Sequence, residues 1–106
     1  MKNIEHRIQQ TIVKYLRYNG YFVFSVPNGG NRDARTGKML KDEGALAGVS
    51  DLIIVLPESV VFVEVKTDKG KQSESQRLFQ DEVTKRGHQY VVWRSLDDAI
   101  LFHSGI

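Results

Sequence analysis

A chain of 106 residues is long enough for one domain and too short for two, so residues 1–106 are read as a single domain. Hydrophobic residues make up 41% of it, which excludes a disordered tail. Fifteen Lys and Arg against 13 Asp and Glu leave a net charge of only +2, so any nucleic-acid contact has to come from local clustering. The absence of cysteine excludes disulfides, thiolate chemistry and cysteine-based zinc sites.

Residues 3 to 18 place Ile4, Ile8, Ile12 and Leu16 four apart, with Tyr15 beside them. That spacing makes one apolar stripe and predicts an amphipathic helix. Asn19-Gly20 ends it with a left-handed cap. The N-terminus is polar and does not read as a signal peptide. No apolar run approaches about 18 residues, so no membrane span is expected, and the default is a soluble intracellular domain. YFVFSV (21 to 26) is β-branched and aromatic and reads as a strand, stopped by Pro27-Asn28-Gly29-Gly30. Residues 28 to 43 are rich in glycine and charge and read as a loop, with a helical turn around 38 to 46.

DLIIVL (51 to 56) and SVVFVEVKT (59 to 67) read as two strands around Pro57-Glu58. A two-residue loop at Pro57-Glu58 pairs Leu56 with Ser59 and sets Asp51 opposite Glu64. Directly opposed residues share a face, and so do Glu64 and Lys66, because strand side chains repeat every two. One register therefore gathers Asp51, Glu64 and Lys66, and a different loop length would undo it. Ser73 and Gln76 form an S-x-x-Q capping box that opens a helix to Lys85, with Leu78, Phe79 and Val83 apolar and Arg86-Gly87 at its end. QYVVWR (89 to 94) is a further strand. Ser95 and Asp98 form a second capping box before a short last helix. The expected architecture is mixed α/β, a small mixed central sheet flanked by helices in the order α-β-β-β-α-β-α.

Charge buried among valines and isoleucines is unfavourable unless it is paired or binds something. Two carboxylates on neighbouring strands can hold a hard divalent cation, with the Val65 carbonyl at the same level as a further ligand. A cation so held polarises a phosphoryl oxygen and acidifies a bound water, while Lys66 could orient that water or stabilise developing charge. This set suits metal-assisted phosphodiester hydrolysis. The three histidines, His6, His88 and His103, form no H-E-x-x-H pattern, and His6 and His88 read as surface residues. Tyr90 and Trp93 read as packing residues.

At D51 … E64-V65-K66 the sequence resembles the PD-(D/E)xK nuclease superfamily, with its restriction-endonuclease-like core. More closely it is similar to a small VRR-NUC domain, the virus-type replication-repair nuclease module. The matching stretches are IEHRIQQTIVKYL, EGALAGVSDLIIV, FVEVKT, SESQRLFQDEVTKRGH and YVVWRSLDDAI, nearly the whole chain. One departure is Ser50, where the family often has Pro before the aspartate. The resemblance implies that Asp51 and Glu64 are metal ligands with the Val65 carbonyl, and that Lys66 is the catalytic lysine. It implies that Glu5 completes the metal site directly or through water, and that Gln76 lies near it. Glu5 also fits a plain first-turn acid, and Gln76 also closes the capping box. The resemblance further implies dependence on Mg²⁺ or Mn²⁺, a homodimer like the minimal viral forms, phage origin, and action in the host cytoplasm on branched DNA such as Holliday junctions. A flap or 5′-end nuclease, a non-specific nicking enzyme and a catalytically silent DNA-binding module remain open. Arg32, Arg35, Lys38 and Lys41 in the glycine-rich stretch suit phosphate contact, and Lys69, Lys71 and Arg77 extend that basic rim.

Overall fold

The computed structural model describes residues 2–27 and 34–105. Its elements in order are α1 (Lys2–Tyr18), β1 (Phe22–Ser25), α2 (Ala34–Asp42), β2 (Leu52–Val55), β3 (Val60–Val65), α3 (Glu74–Lys85), β4 (Gln89–Trp93) and α4 (Leu96–Ser104). The strands form one sheet in the order β1-β2-β3-β4. β1 and β2 are antiparallel, as are β2 and β3, while β3 and β4 are parallel. A parallel pair needs a crossover, which α3 supplies. The architecture is the mixed α/β one expected from the sequence.

The hairpin has the expected register. Leu52 faces Val63 and Val55 faces Val60, and Leu56 N–H donates to Ser59 O at 2.9 Å across Pro57-Glu58. Alternation then sorts the strands into two faces. Leu52, Ile54, Val61, Val63, Val65 and Trp93 are buried on one, together with Val23, Ile12 and Leu16 of α1 and Ala99 of α4. Burying each such aliphatic side chain contributes about 1.5–3 kcal/mol. The other face is covered by α3 only over β3 and β4, where Phe79 meets Phe62 edge-on at 5.2 Å and Tyr90 at 6.2 Å. Over β1 and β2, the same face leaves Phe22, Phe24 and Val55 exposed.

Helix ends follow the residues predicted for them. Gly20 takes φ +86° after α1, and Tyr21 N–H returns to Leu16 O at 3.0 Å. Gly87 takes φ +90° after α3, and His88 N–H returns to Val83 O at 3.1 Å. Both are Schellman-type closures.

Three expectations need correction. The stretch read as a loop with a helical turn around 38 to 46 carries α2, a nine-residue helix that starts four residues earlier and has no buried residue. Ile4, the first residue of the α1 stripe, is 52% exposed, where it lines an open surface pocket with Ile8, Thr67 and Arg94. Ser95 makes no side-chain cap: it is fully extended (φ −161°, ψ 169°), whereas the capping Ser73 has φ −78°. Asp98 Oδ2 instead accepts from Arg94 N–H at 2.7 Å, one residue further back.

Candidate active site

The site is built at the β2 start and the β3 end, on the face that α3 covers. Asp51 precedes β2, and its Oδ2 accepts from Val65 N–H at 2.8 Å. The carboxylate thus stands where the next ladder carbonyl would be, and β3 itself aims it. Glu64 is 3% exposed, under the first turn of α3. Its Oε2 accepts from Gln76 Nε2 at 3.1 Å and lies 3.6 Å from Lys66 Nζ. Its Oε1 is buried and has no hydrogen-bond partner. Burial and, after it, the charge of nearby Asp51 raise the Glu64 carboxyl from its ordinary 4.5 to about 8, and Lys66 opposes them. Two carboxylates in reach of one another, one with an orphaned oxygen, and a nearly buried lysine form a cluster with an unmet demand for positive charge.

Gln76 serves two purposes at once. Its Oε1 accepts from Ser73 N–H at 2.9 Å while Ser73 Oγ accepts from Gln76 N–H at 3.2 Å, closing the predicted capping box. That orientation turns Nε2 to Glu64. A glutamate would close the same box and set a second negative charge against Glu64.

The loop into Asp51 depends on Gly48. At φ +88°, a Cβ there would lie 2.2 Å from Ser75 O and 2.9 Å from Gln76 N. Only glycine lets the chain pass so close to the start of α3. Ser50, where the family often has Pro, is fully buried, and its Oγ donates to Leu52 O at 3.2 Å.

The structure brings Asp51, Glu64, Val65, Lys66 and Gln76 together. It does not bring Glu5 into a three-acid group, for among the described residues no set of three or more His, Cys, Asp or Glu gathers to hold a metal ion. Glu5 lies half-buried in the first turn of α1. Of the basic residues, Arg32 lies outside the described residues. Arg35, Lys38 and Lys41, three apart, share one side of exposed α2, with Lys38 paired to Asp42 at 3.0 Å. Helix α2 overhangs an open cleft of about 880 Å³ lined by Val26, Pro27 and the 44–49 segment. Lys69 and Lys71 are exposed, and Arg77 Nη1 donates to Gln72 O at 3.0 Å. His88 is not a plain surface residue: its Nδ1 accepts from Val60 N–H at 3.2 Å and its ring packs on Phe62. Tyr90 packs as predicted and also accepts from Gln72 Nε2 at 3.2 Å. Sequence reasoning missed Gly48 and the Asp51 to Val65 bond. The glycine three residues before Asp51 was the one visible signal of either.

A mixed sheet flanked by helices, with two acids and a lysine delivered by adjacent strands, defines a restriction-endonuclease-like nuclease fold. The model of the VRR-NUC domain matches residues 3–97, and the chain belongs to that family. Membership gives it a nuclease-type, DNA-processing function, and with that DNA as its partner. Two solved structures share the fold. One, titled "VRR_NUC domain protein", superposes with a TM-score of 0.80 at 18% identity, over 96% of this chain and 86% of that one. Another, titled "VRR_NUC domain", gives 0.71 at 23% identity, over 95% of each. No curated protein matches the chain. No helix among the described residues is long and apolar enough to cross a membrane.

Proposed function

We propose that the chain is a divalent-metal-dependent DNA endonuclease that hydrolyses phosphodiester bonds in branched DNA such as four-way junctions, working as a homodimer. The observation that carries this reading is the buried Glu64 carboxylate, with Oε1 unpartnered beside Asp51 and Lys66. The donor set fits a hard cation. Asp51, Glu64 and the Val65 carbonyl would hold Mg²⁺ or Mn²⁺, with Glu5 reaching it directly or through water. When bound, the cation supplies a Lewis acid for a phosphoryl oxygen and lowers the pKa of a bound water.

The chain's own groups have distinct tasks. Val65 N–H orients Asp51, and Gln76 holds one Glu64 oxygen so that the other faces the site. Lys66, held close to Glu64, presents an ammonium to the attacking water and to the charge that develops on the phosphoryl oxygens. Arg32, Arg35, Lys38, Lys41, Lys69, Lys71 and Arg77 would meet backbone phosphates. The exposed Phe22 and Phe24 rings, 5.8 Å apart, support self-association through the uncovered half of the sheet. Two-fold symmetry suits paired cuts in a junction.

The test is incubation of a labelled four-way junction with the protein in Mg²⁺, in Mn²⁺ and in EDTA. Flaps, splayed arms and plain duplex run alongside. Cutting is expected with metal, strongest on the junction, and Lys66→Ala should bind the junction without cutting it. Binding without cutting across the panel would sink the enzyme reading. Cutting that persists in EDTA would sink the metal.

A further inference from the structure

Arg94, immediately after β4, makes no ion pair among the described residues. Its Nη1 donates to three backbone carbonyls, Thr67 at 2.7 Å, Gly70 at 2.8 Å and Asp68 at 3.2 Å. These belong to the turn that directly follows Lys66. Hydrogen bonds from an ionised donor are roughly twice as strong as neutral ones, so one guanidinium here does much of what a ladder would do. The turn's own main-chain closure is Gly70 N–H to Thr67 O at 3.1 Å.

The turn in question lies over Lys66. A Cβ on Gly70 would stand 3.3 Å from Lys66 Cδ and 3.4 Å from its Cβ, so the Gly70 backbone rests against the lysine's aliphatic stem. The Lys66 main chain is held by the neighbouring residue of β4, its N–H donating to Trp93 O at 3.0 Å. Asp98 of α4 in turn anchors the Arg94 backbone. Trp93 therefore fixes the root of Lys66, and Arg94 fixes the wall along its stem.

We propose that Arg94 is a positioning residue for Lys66: its guanidinium locks the 67–70 turn, and the turn confines the ammonium beside Glu64. The activity side of this inference rests on the nuclease reading above. Its Nη1 is committed to three carbonyls, so the role assigned to Arg94 is on the turn and not on DNA phosphate, in contrast to the exposed Lys69 and Lys71.

The test uses Arg94→Ala and Arg94→Lys in the full chain, beside Lys66→Ala. Lysine keeps the charge, but its ammonium ends one bond short of the position of Nη1, from which all three bonds leave, so it should not rescue. In both Arg94 variants kcat should fall about 10- to 100-fold with KM for DNA unchanged, the scale expected from a misplaced catalytic group. The salt dependence of DNA binding should stay as in wild type, whereas Lys71→Ala should flatten its log–log slope by about 0.9. Amide exchange at Gly70 should quicken, and the Lys66 methylenes should become more mobile by NMR relaxation. A flattened salt slope, a loss confined to KM, full rescue by lysine, or unchanged exchange and order would each overturn the proposal. The exchange and relaxation measurements need no cutting. If wild-type protein cut nothing, the nuclease reading would fall and these two measurements would still decide what Arg94 does. Arg94→Gln replaces Arg94→Ala in every arm if the alanine variant does not fold.

Discussion

Replacing Glu64 with glutamine should stabilise the metal-free protein and abolish its activity. Glu64 is buried, and its carboxyl is raised from 4.5 to about 8, chiefly by burial and then by Asp51. Between those two values the folded chain holds a proton that the unfolded chain has released. Stability from this group is therefore complete below about pH 4.5 and is lost as pH rises through about 8. At about 1.4 kcal/mol per pH unit, the full loss is on the order of 5 kcal/mol, of which about 3 kcal/mol is already gone by about pH 7. Glutamine keeps the shape. Its oxygen can accept from Gln76 and Lys66, and its amide can donate to Asp51 where the orphaned Oε1 now sits. Urea unfolding in EDTA should show the advantage of Glu64→Gln widening by about 2 to 3 kcal/mol from about pH 5 to about pH 7, and by about 1 kcal/mol more at about pH 9. Saturating Mg²⁺ should narrow the gap, since a cation bound to wild type favours the ionised acid. A stability difference that stays flat with pH would refute the reasoning, because the folded chain would then hold no extra proton at Glu64.

Gln76→Ala should lose about 1–2 kcal/mol at any pH, from the capping box and the Glu64 bond. Gln76→Glu should lose more at alkaline than at acid pH, and thermal melts with the same loss at both would contradict the like-charge argument. Gly48→Ala should lose about 2–4 kcal/mol in chemical denaturation, because it adds a clash with Ser75 O to a positive φ. Gly20→Ala has a similar φ and nothing within 4 Å, so it should lose only about 1 kcal/mol. Equal losses would remove the case for close approach at Gly48. Phe22→Ser with Phe24→Ser should leave the fold intact and convert the proposed dimer to monomer in light scattering; a persistent dimer would put the interface elsewhere.

The hairpin was legible because a two-residue loop between two apolar runs permits few registers, and an odd slip would turn either Leu52 and Ile54 or Val61 and Val63 away from the core. The same constraint that buries those four sets Asp51 opposite Glu64. Helix α2 was legible only in part: a helical turn was expected around 38 to 46, whereas the helix runs Ala34–Asp42 and has no fully buried residue to mark its start. It rests on local preference and pairs such as Lys38 with Asp42. Arg94 was opaque for another reason: its partners are main-chain carbonyls, which have no identity in a sequence. Gly48 falls between the two. Its type announced a special backbone, but what the backbone avoids, Ser75, is far away along the chain.

Gln76 shows how the local and tertiary levels constrain each other. A capping box accepts Gln or Glu at this position with similar effect, so local structure alone does not choose between them. The choice is made by Glu64, which lies twelve residues earlier and meets the same amide from above. The box presents the oxygen to Ser73 N–H, and so the free end must be a donor when it reaches a carboxylate. Only the amide offers an acceptor at one end and a donor at the other. Glutamine there, rather than glutamate, is thus itself a mark of the buried acid, and a capping residue becomes a report on the site it helps to assemble.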